Sequence, residues 1–304
     1  MGSTAGESAT PGHATSITRP GVWLTELSLV LMALIWGVNF SVVKFGTTLV
    51  DPLAYNGVRA SIAALLLCTI VGVGRMPLPS GRTIVALLLL GALGNGIYQY
   101  FFVEGIARTS ASDTALIVAA SPAFTAIIGR MMGVERLNRQ AVLGVVGSIA
   151  GIVLVVIGSS KDEGGTSMVG LALVLCGSLA WALYTVMLKP HTERVANLPL
   201  SAITMVGGAI PLFVVAWPAV SRAHWTAPAL WGAIGYSAVF SLVIAYYFWY
   251  RGVRIIGPTR TAIYSNLQPV IAVLVAWAML GEVPTVWQVL GTVCIVGSLM
   301  LARS

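Results

Sequence analysis

The sequence predicts an all-α polytopic membrane protein of ten transmembrane helices, arranged as two inverted five-helix repeats (5+5) with both the N-terminus and the C-terminus cytoplasmic. Three observations carry this. Hydrophobic residues make up 57% of the 304-residue chain and charged residues only 9%, too apolar a mixture for a water-exposed surface. Apolar segments approaching the ~20 residues that cross a ~30 Å hydrocarbon core follow one another with short connections. The second half of the chain also repeats the first.

In chain order, residues 1–22 are rich in Ser, Thr, Gly and Ala and carry Pro11 and Pro20, which reads as a disordered cytoplasmic tail. They lack the basic start and short apolar core of a secretory signal, so the first apolar segment stays in the mature protein. Ten spans follow, at residues 23–45, 52–72, 83–103, 112–132, 141–158, 168–188, 198–218, 230–250, 261–280 and 285–301. The first repeat is 23–158, the connection 159–166 and the second repeat 167–304, with nothing left over for a soluble domain.

A net charge of +7 raises nucleic acid as a partner, but the placement of the basic residues argues for a membrane instead. With the N-terminus inside, the inner loops hold Arg75, Arg82, Arg130, Arg136, Arg139, Lys189, Arg194, Arg251, Arg254 and Arg260, and the tails add Arg19 and Arg303. The outer side holds Lys44, Arg108, Lys161 and Arg222, and Arg59 lies within a span. Positive residues favour the cytoplasmic side, which sets the orientation. Cys68, Cys176 and Cys294 sit in apolar segments and read as free thiols, and His13, His191 and His224 lack metal-binding spacing, so no metal or cofactor is expected. No Walker A loop points to ATP drive, and no catalytic constellation points to an enzyme.

Shifting by 147 positions places Pro52 on Pro199, Tyr100 on Tyr247, Gly105 on Gly252, Pro122 on Pro269 and Glu135 on Glu282. In the first span of each half the shift is 145, pairing Trp36 with Trp181 and Lys44 with Lys189. Five spans is an odd number, so the second half inserts upside down. Two similar bundles of opposite orientation can exchange conformations and open a central site to either side. A duplication retained only for packing would leave the same repeat.

The stretch Ala33-Leu34-Ile35-Trp36-Gly37-Val38-Asn39-Phe40, the later Pro52 and Arg59, and the two stretches Pro122 to Glu135 and Pro269 to Glu282 resemble the EamA branch of the drug/metabolite transporter superfamily, over about residues 23–301. Within it, the overall likeness is to the YddG-type group of bacterial amino-acid exporters. The resemblance implies a central cavity, with the fifth and tenth helices peripheral.

Residues able to line such a cavity fall at helical spacing. Trp36 and Asn39 share a face of the first span, and Trp181 and Tyr184 repeat that arrangement in the sixth. The third offers Asn95, Tyr98 and Gln99, the eighth Tyr246 and Tyr250, and the ninth Tyr264, Asn266 and Gln268. Trp23, Trp217, Trp225, Trp231 and Trp287 near span ends read as interfacial anchors. For the mid-span residues, substrate contact competes with helix packing, since buried amides also join helices. Pro122 and Pro269 each remove a backbone donor in mid-helix and are hinge candidates, or static bends. The Gly147 and Gly151 pair permits close helix contact, expected within one chain. Lys44 and Lys189 are gate or interface candidates.

Asp51, Glu104, Asp113, Asp162, Glu163 and Glu282 fall at outer loops or span ends, and Glu135 and Glu193 at inner ones. Without a membrane-buried carboxylate to exchange a proton for a cation, the cavity suits neutral or zwitterionic substrates. Arg59 either attracts a substrate carboxylate or, as structure, caps carbonyls or snorkels outward; the structural reading is preferred. The expected function is an alternating-access exporter of amino acids, aromatic and other neutral ones favoured, facilitative or weakly coupled, in the bacterial inner membrane. Its expected partners are a small metabolite and lipid, with the protein a monomer or weak homodimer. Nucleosides, purines or sugar derivatives are the alternative cargo, and a non-transporting sensor or scaffold is the alternative of another class.

Overall fold

The computed structural model describes residues 19–133, 139–159, 167–256, 261, 264–265 and 267–301. Among them run ten helices: α1 Arg19–Leu49, α2 Pro52–Val73, α3 Gly81–Ala107, α4 Ala111–Met131, α5 Arg139–Ser159, α6 Met168–Thr192, α7 Asn197–Val220, α8 Pro228–Ile255, α9 Leu267–Leu280 and α10 Val286–Leu301. Seven are long and apolar enough to cross a membrane, while Leu267–Leu280 and Val286–Gly297 are shorter apolar helices. Each expected span coincides with one helix. The first begins earlier than expected: α1 starts at Arg19, inside the segment read as a tail, with Pro20 in the first turn, where a missing N–H leaves no bond unmade.

Local chemistry explains where helices start and stop. Asp51 caps α2, accepting from the Leu53 and Ala54 amides at 2.9 and 3.3 Å, with Pro52 at the first helical position. Ser110 caps α4 and Ser167 caps α6 in the same way. Helices α4 and α9, equivalent by the repeat, both run into a glycine in the left-handed region, Gly133 and Gly281, each with φ of 70°. That backbone is strained for a residue with a Cβ.

Three helices depart from regular α geometry. α3 widens into a π-helical turn over Ala92–Ile97 and α8 into a longer one over Tyr236–Ala245. Shifted by the repeat, the first π turn falls inside the second. Helix α4 is interrupted at Ala120, next to Ser121 and Pro122.

Packing follows the repeat. α5 lies chiefly against α10, and α2 against α7; α1 packs on α8 and α9, as α6 packs on α3 and α4. Exchanging every helix for its counterpart in the other half maps this pattern onto itself. Lipid-like surroundings supply little hydrophobic drive between helices, so close backbone approach has to hold them together. At the α3–α7 interface, a Cβ on Gly91 would collide with the Thr204 backbone, one on Gly207 with Leu88, and one on Gly208 with Asn95. Gly151 meets Gly291 and Ile295 of α10, a contact within the chain. Leu65, Leu89, Val214 and Trp217 point outward, as apolar side chains do where a helix faces lipid.

Candidate functional site

Helices from both halves bring one aromatic cluster together in the core. Trp36 of α1 and Trp181 of α6 meet edge to face, ring centroids 6.3 Å apart at 89°. Tyr246 lies 5.6 Å from Trp36 and 5.7 Å from Trp181. Trp249 touches both tryptophans at 5.7 and 6.0 Å. Tyr98 of α3 leans on Trp181 at 5.0 Å, and Tyr184 at 5.4 Å. Tyr184 and Tyr250 share a hydroxyl–hydroxyl bond of 2.5 Å.

Buried indoles and hydroxyls need partners, and the widened turn of α8 provides several. The Trp36 Nε1–H donates to the Ser241 carbonyl at 3.1 Å, inside the α8 π turn. The Tyr236 hydroxyl of that turn donates back to the Ile35 carbonyl at 3.0 Å. Tyr55 of α2 donates to the Ala233 carbonyl at 3.1 Å and shares a 2.8 Å bond with Ser237. Ser237 in turn donates to Asn39 Oδ1 at 2.8 Å.

A second network surrounds a charge. Arg59 is fully buried; its Nε donates to Asn56 Oδ1 at 2.8 Å and its Nη2 to Gln99 Oε1 at 2.7 Å. Asn56 Nδ2 donates to the Gln99 carbonyl at 2.8 Å, just beyond the α3 π turn. Gln99 Nε2 reaches the Tyr246 hydroxyl at 3.4 Å, linking this network to the aromatic cluster. Arg59, fully buried, therefore does not snorkel outward. Two side-chain amides on α2 and α3 hold it inside the bundle.

The remaining sequence candidates divide. Asn39 and Gln99 are buried in these networks, and Asn95 is buried beside the Tyr184 hydroxyl. Tyr264 is half-buried against the same core, and Gln268 is buried on α9, its carbonyl close to Gly37 of α1. Asn266 lies outside the described residues. Pro122 sits at the interruption in α4 and Pro269 is buried on α9. Lys44 is far from the cluster: its Nζ donates to the carbonyls of Ile106, Ala107 and Thr109 at 3.1, 3.1 and 2.6 Å, clamping the α3–α4 junction. Among the described residues Lys189, its repeat counterpart, makes no such bond.

The acidic residues gather at that same junction. Glu282 accepts from the Ala111 and Ser112 amides at 3.1 and 3.2 Å, Asp113 accepts from Gln288 at 2.9 Å, and Glu104 pairs with Arg108. Glu104 and Asp113 are more buried than the sequence suggested, yet their partners are structural and none of these acids joins the aromatic cluster.

Asn56, Tyr55, Ser237 and Trp249 were not singled out from sequence. Asn56 carried a usable signal, an amide one helical turn before Arg59 in an otherwise apolar span. Trp249 carried none, because it stands in the run Tyr246-Tyr247-Phe248-Trp249-Tyr250, aromatic on every face.

Comparison with known proteins agrees with this architecture. The EamA-like transporter family matches residues 23–157 and again 168–304. The chain belongs to the EamA-like transporter family. Relatives include the uncharacterized transporter YyaM of Bacillus subtilis, 28% identical over 88% of this chain and 89% of its own. The uncharacterized inner membrane transporter YedA of Escherichia coli K12 is 28% identical over 88% of this chain and 87% of its own. A solved crystal structure covers 92% of this chain and 96% of its own with a TM-score of 0.66 at 17% identity, a likeness of fold. As an EamA-like protein the chain is a multi-pass membrane transporter.

Proposed function

We propose that this EamA-like protein exports amino acids, with aromatic and other large neutral ones favoured, by alternating access across the bacterial inner membrane. The supporting observation is the cluster of Trp36, Trp181, Tyr246 and Trp249, built by helices of both halves and bordered by the Gln99–Arg59 network. Such rings offer apolar faces for a planar side chain, and the hydroxyls and amides around them offer polar contacts that fix its orientation. The two repeats act as five-helix bundles of opposite orientation, with both termini cytoplasmic, and rock about this cluster. In that orientation the Lys44 and Glu282 contacts close the outer end. Transport is facilitative or weakly coupled, because the acids of the described core serve the α3–α4 junction and not the cluster.

The test is uptake of a labelled amino-acid panel into proteoliposomes, with and without a pH gradient, for the wild type, Trp36→Ala and Trp181→Ala. Flux independent of the gradient and reduced at least about tenfold in both variants is the expected result. No flux above empty vesicles for any amino acid would reject the substrate class and turn the search to nucleosides, purines and sugar derivatives.

A further inference from the structure

Arg59 keeps one guanidinium nitrogen without a hydrogen-bond acceptor. Its Nε and Nη2 are occupied by Asn56 and Gln99, while Nη1 is buried with no hydrogen-bond partner. Among the described residues no Asp or Glu pairs with it, and the guanidinium rests 5.5 Å over the Tyr55 ring. A buried arginine that serves packing alone is expected to spend its donors on carbonyls or a carboxylate, because an unpaired buried charge is costly. Here Nε and Nη2 meet the neutral side-chain carbonyl oxygens of Asn56 and Gln99, no carboxylate is present among the described partners, and Nη1 meets no acceptor. Asn56 is itself fixed by its bond to the Gln99 carbonyl, and so presents its oxygen to Nε. Gln99 is fixed by Tyr246, and presents its oxygen to Nη2. Two amides orient the planar cation without neutralising it. One helical turn earlier on α3, the buried Asn95 amide lies beside the Tyr184 hydroxyl, a second polar position in the same core.

We propose that Arg59 is the carboxylate subsite of the transporter, with Nη1 donating to one oxygen of the bound substrate. The inference rests on the transport reading of the aromatic cluster and narrows it to substrates that carry a carboxylate beside an aromatic or apolar body. No acid in the described network answers the α-ammonium of an amino acid, so that group contributes little and recognition is dominated by the anionic end. Charge-assisted bonds from a guanidinium to a carboxylate are the stronger class of hydrogen bond, and a desolvated site increases their weight.

The experiment compares two truncated analogues of phenylalanine on the wild-type protein. 3-Phenylpropionate keeps the carboxylate and loses the ammonium; phenethylamine does the reverse. Each is tested as a competitor of labelled phenylalanine in proteoliposomes and, independently of flux, as a thermal stabiliser of the purified protein in detergent. The expected result is that 3-phenylpropionate competes and stabilises while phenethylamine does neither, and that Arg59→Met weakens 3-phenylpropionate binding by about tenfold or more. Arg59→Lys, which keeps the charge but loses the fork, retains part of it. Should Arg59→Met fail to fold, the wild-type comparison and Arg59→Lys decide. Phenethylamine acting as well as 3-phenylpropionate, or unchanged 3-phenylpropionate affinity in a folded Arg59→Met protein, overturns the proposal. Stabilisation by 3-phenylpropionate without amino-acid flux upholds the anion site and rejects the amino-acid reading, whereas amino-acid flux indifferent to 3-phenylpropionate does the reverse.

Discussion

Trp36 combines two jobs that substitution can separate. Its ring touches Trp181, Tyr246 and Trp249, and its N–H holds the Ser241 carbonyl in the widened turn of α8. Trp36→Phe removes only the second, at a cost of about 1 kcal/mol, and is expected to lower thermal stability by a few degrees while keeping measurable transport. Trp36→Ala removes both, and transport is expected to fall about tenfold or more. Lys44→Met offers a contrast: it frees three carbonyls at the α3–α4 junction without touching the cluster, so the expected result is a loss of about 1–3 kcal/mol in unfolding free energy. In the reading that places this junction outside, labelling of a cysteine introduced at Asn39 from the outer face should also rise. The residues legible in the sequence, Trp36, Trp181 and Gln99, were those whose polarity is out of place in a mid-membrane helix. The partner that completes the Trp36 bond, Ser241, acts through its backbone carbonyl, which any residue type supplies, so no composition or spacing announces it.

Helix positions were readable because a span is a long apolar stretch, but the shape within a helix was not. The sequence pointed to Pro122 and Pro269 as the places where the backbone gives way, and the chain does break beside Pro122. The widened turns in α3 and α8 carry no proline and occur at equivalent places in the two repeats, and in α8 the facing α1 helix places the Trp36 N–H on a carbonyl of the turn. Such turns cluster at functional positions and mark where a helix can change pitch. Between them and the lipid, α3 is pressed onto α7 through glycines that admit no Cβ. Gly207→Val would push α7 off Leu88, with an expected cost of about 1–3 kcal/mol, read as a lower unfolding temperature of the detergent-solubilised protein. Gly297→Val on α10, where a Cβ meets open space, should leave the melting temperature unchanged.

Over the whole molecule, the pairing of α2 with α7 and α5 with α10 means that each half is completed by the other rather than forming a separate core. The 147-residue offset made this organisation legible. The imbalance between the ends was not, because Lys44 and Lys189 are equivalent in sequence and differ only in what lies beside them. The charge on Arg59 has an electrical consequence. Binding an amino acid, itself neutral overall, leaves the charge of the carrier unchanged, so the cycle moves no net charge. A simple carboxylate leaves as an anion, and one negative charge expelled down an inside-negative potential gains about 2.3 kcal/mol per 100 mV. That is an outward concentration ratio of roughly fifty without any coupled ion. Solid-supported membrane recordings are expected to show a net charge displacement with 3-phenylpropionate and none with phenylalanine, so the membrane voltage alone would set the direction in which an anionic cargo travels.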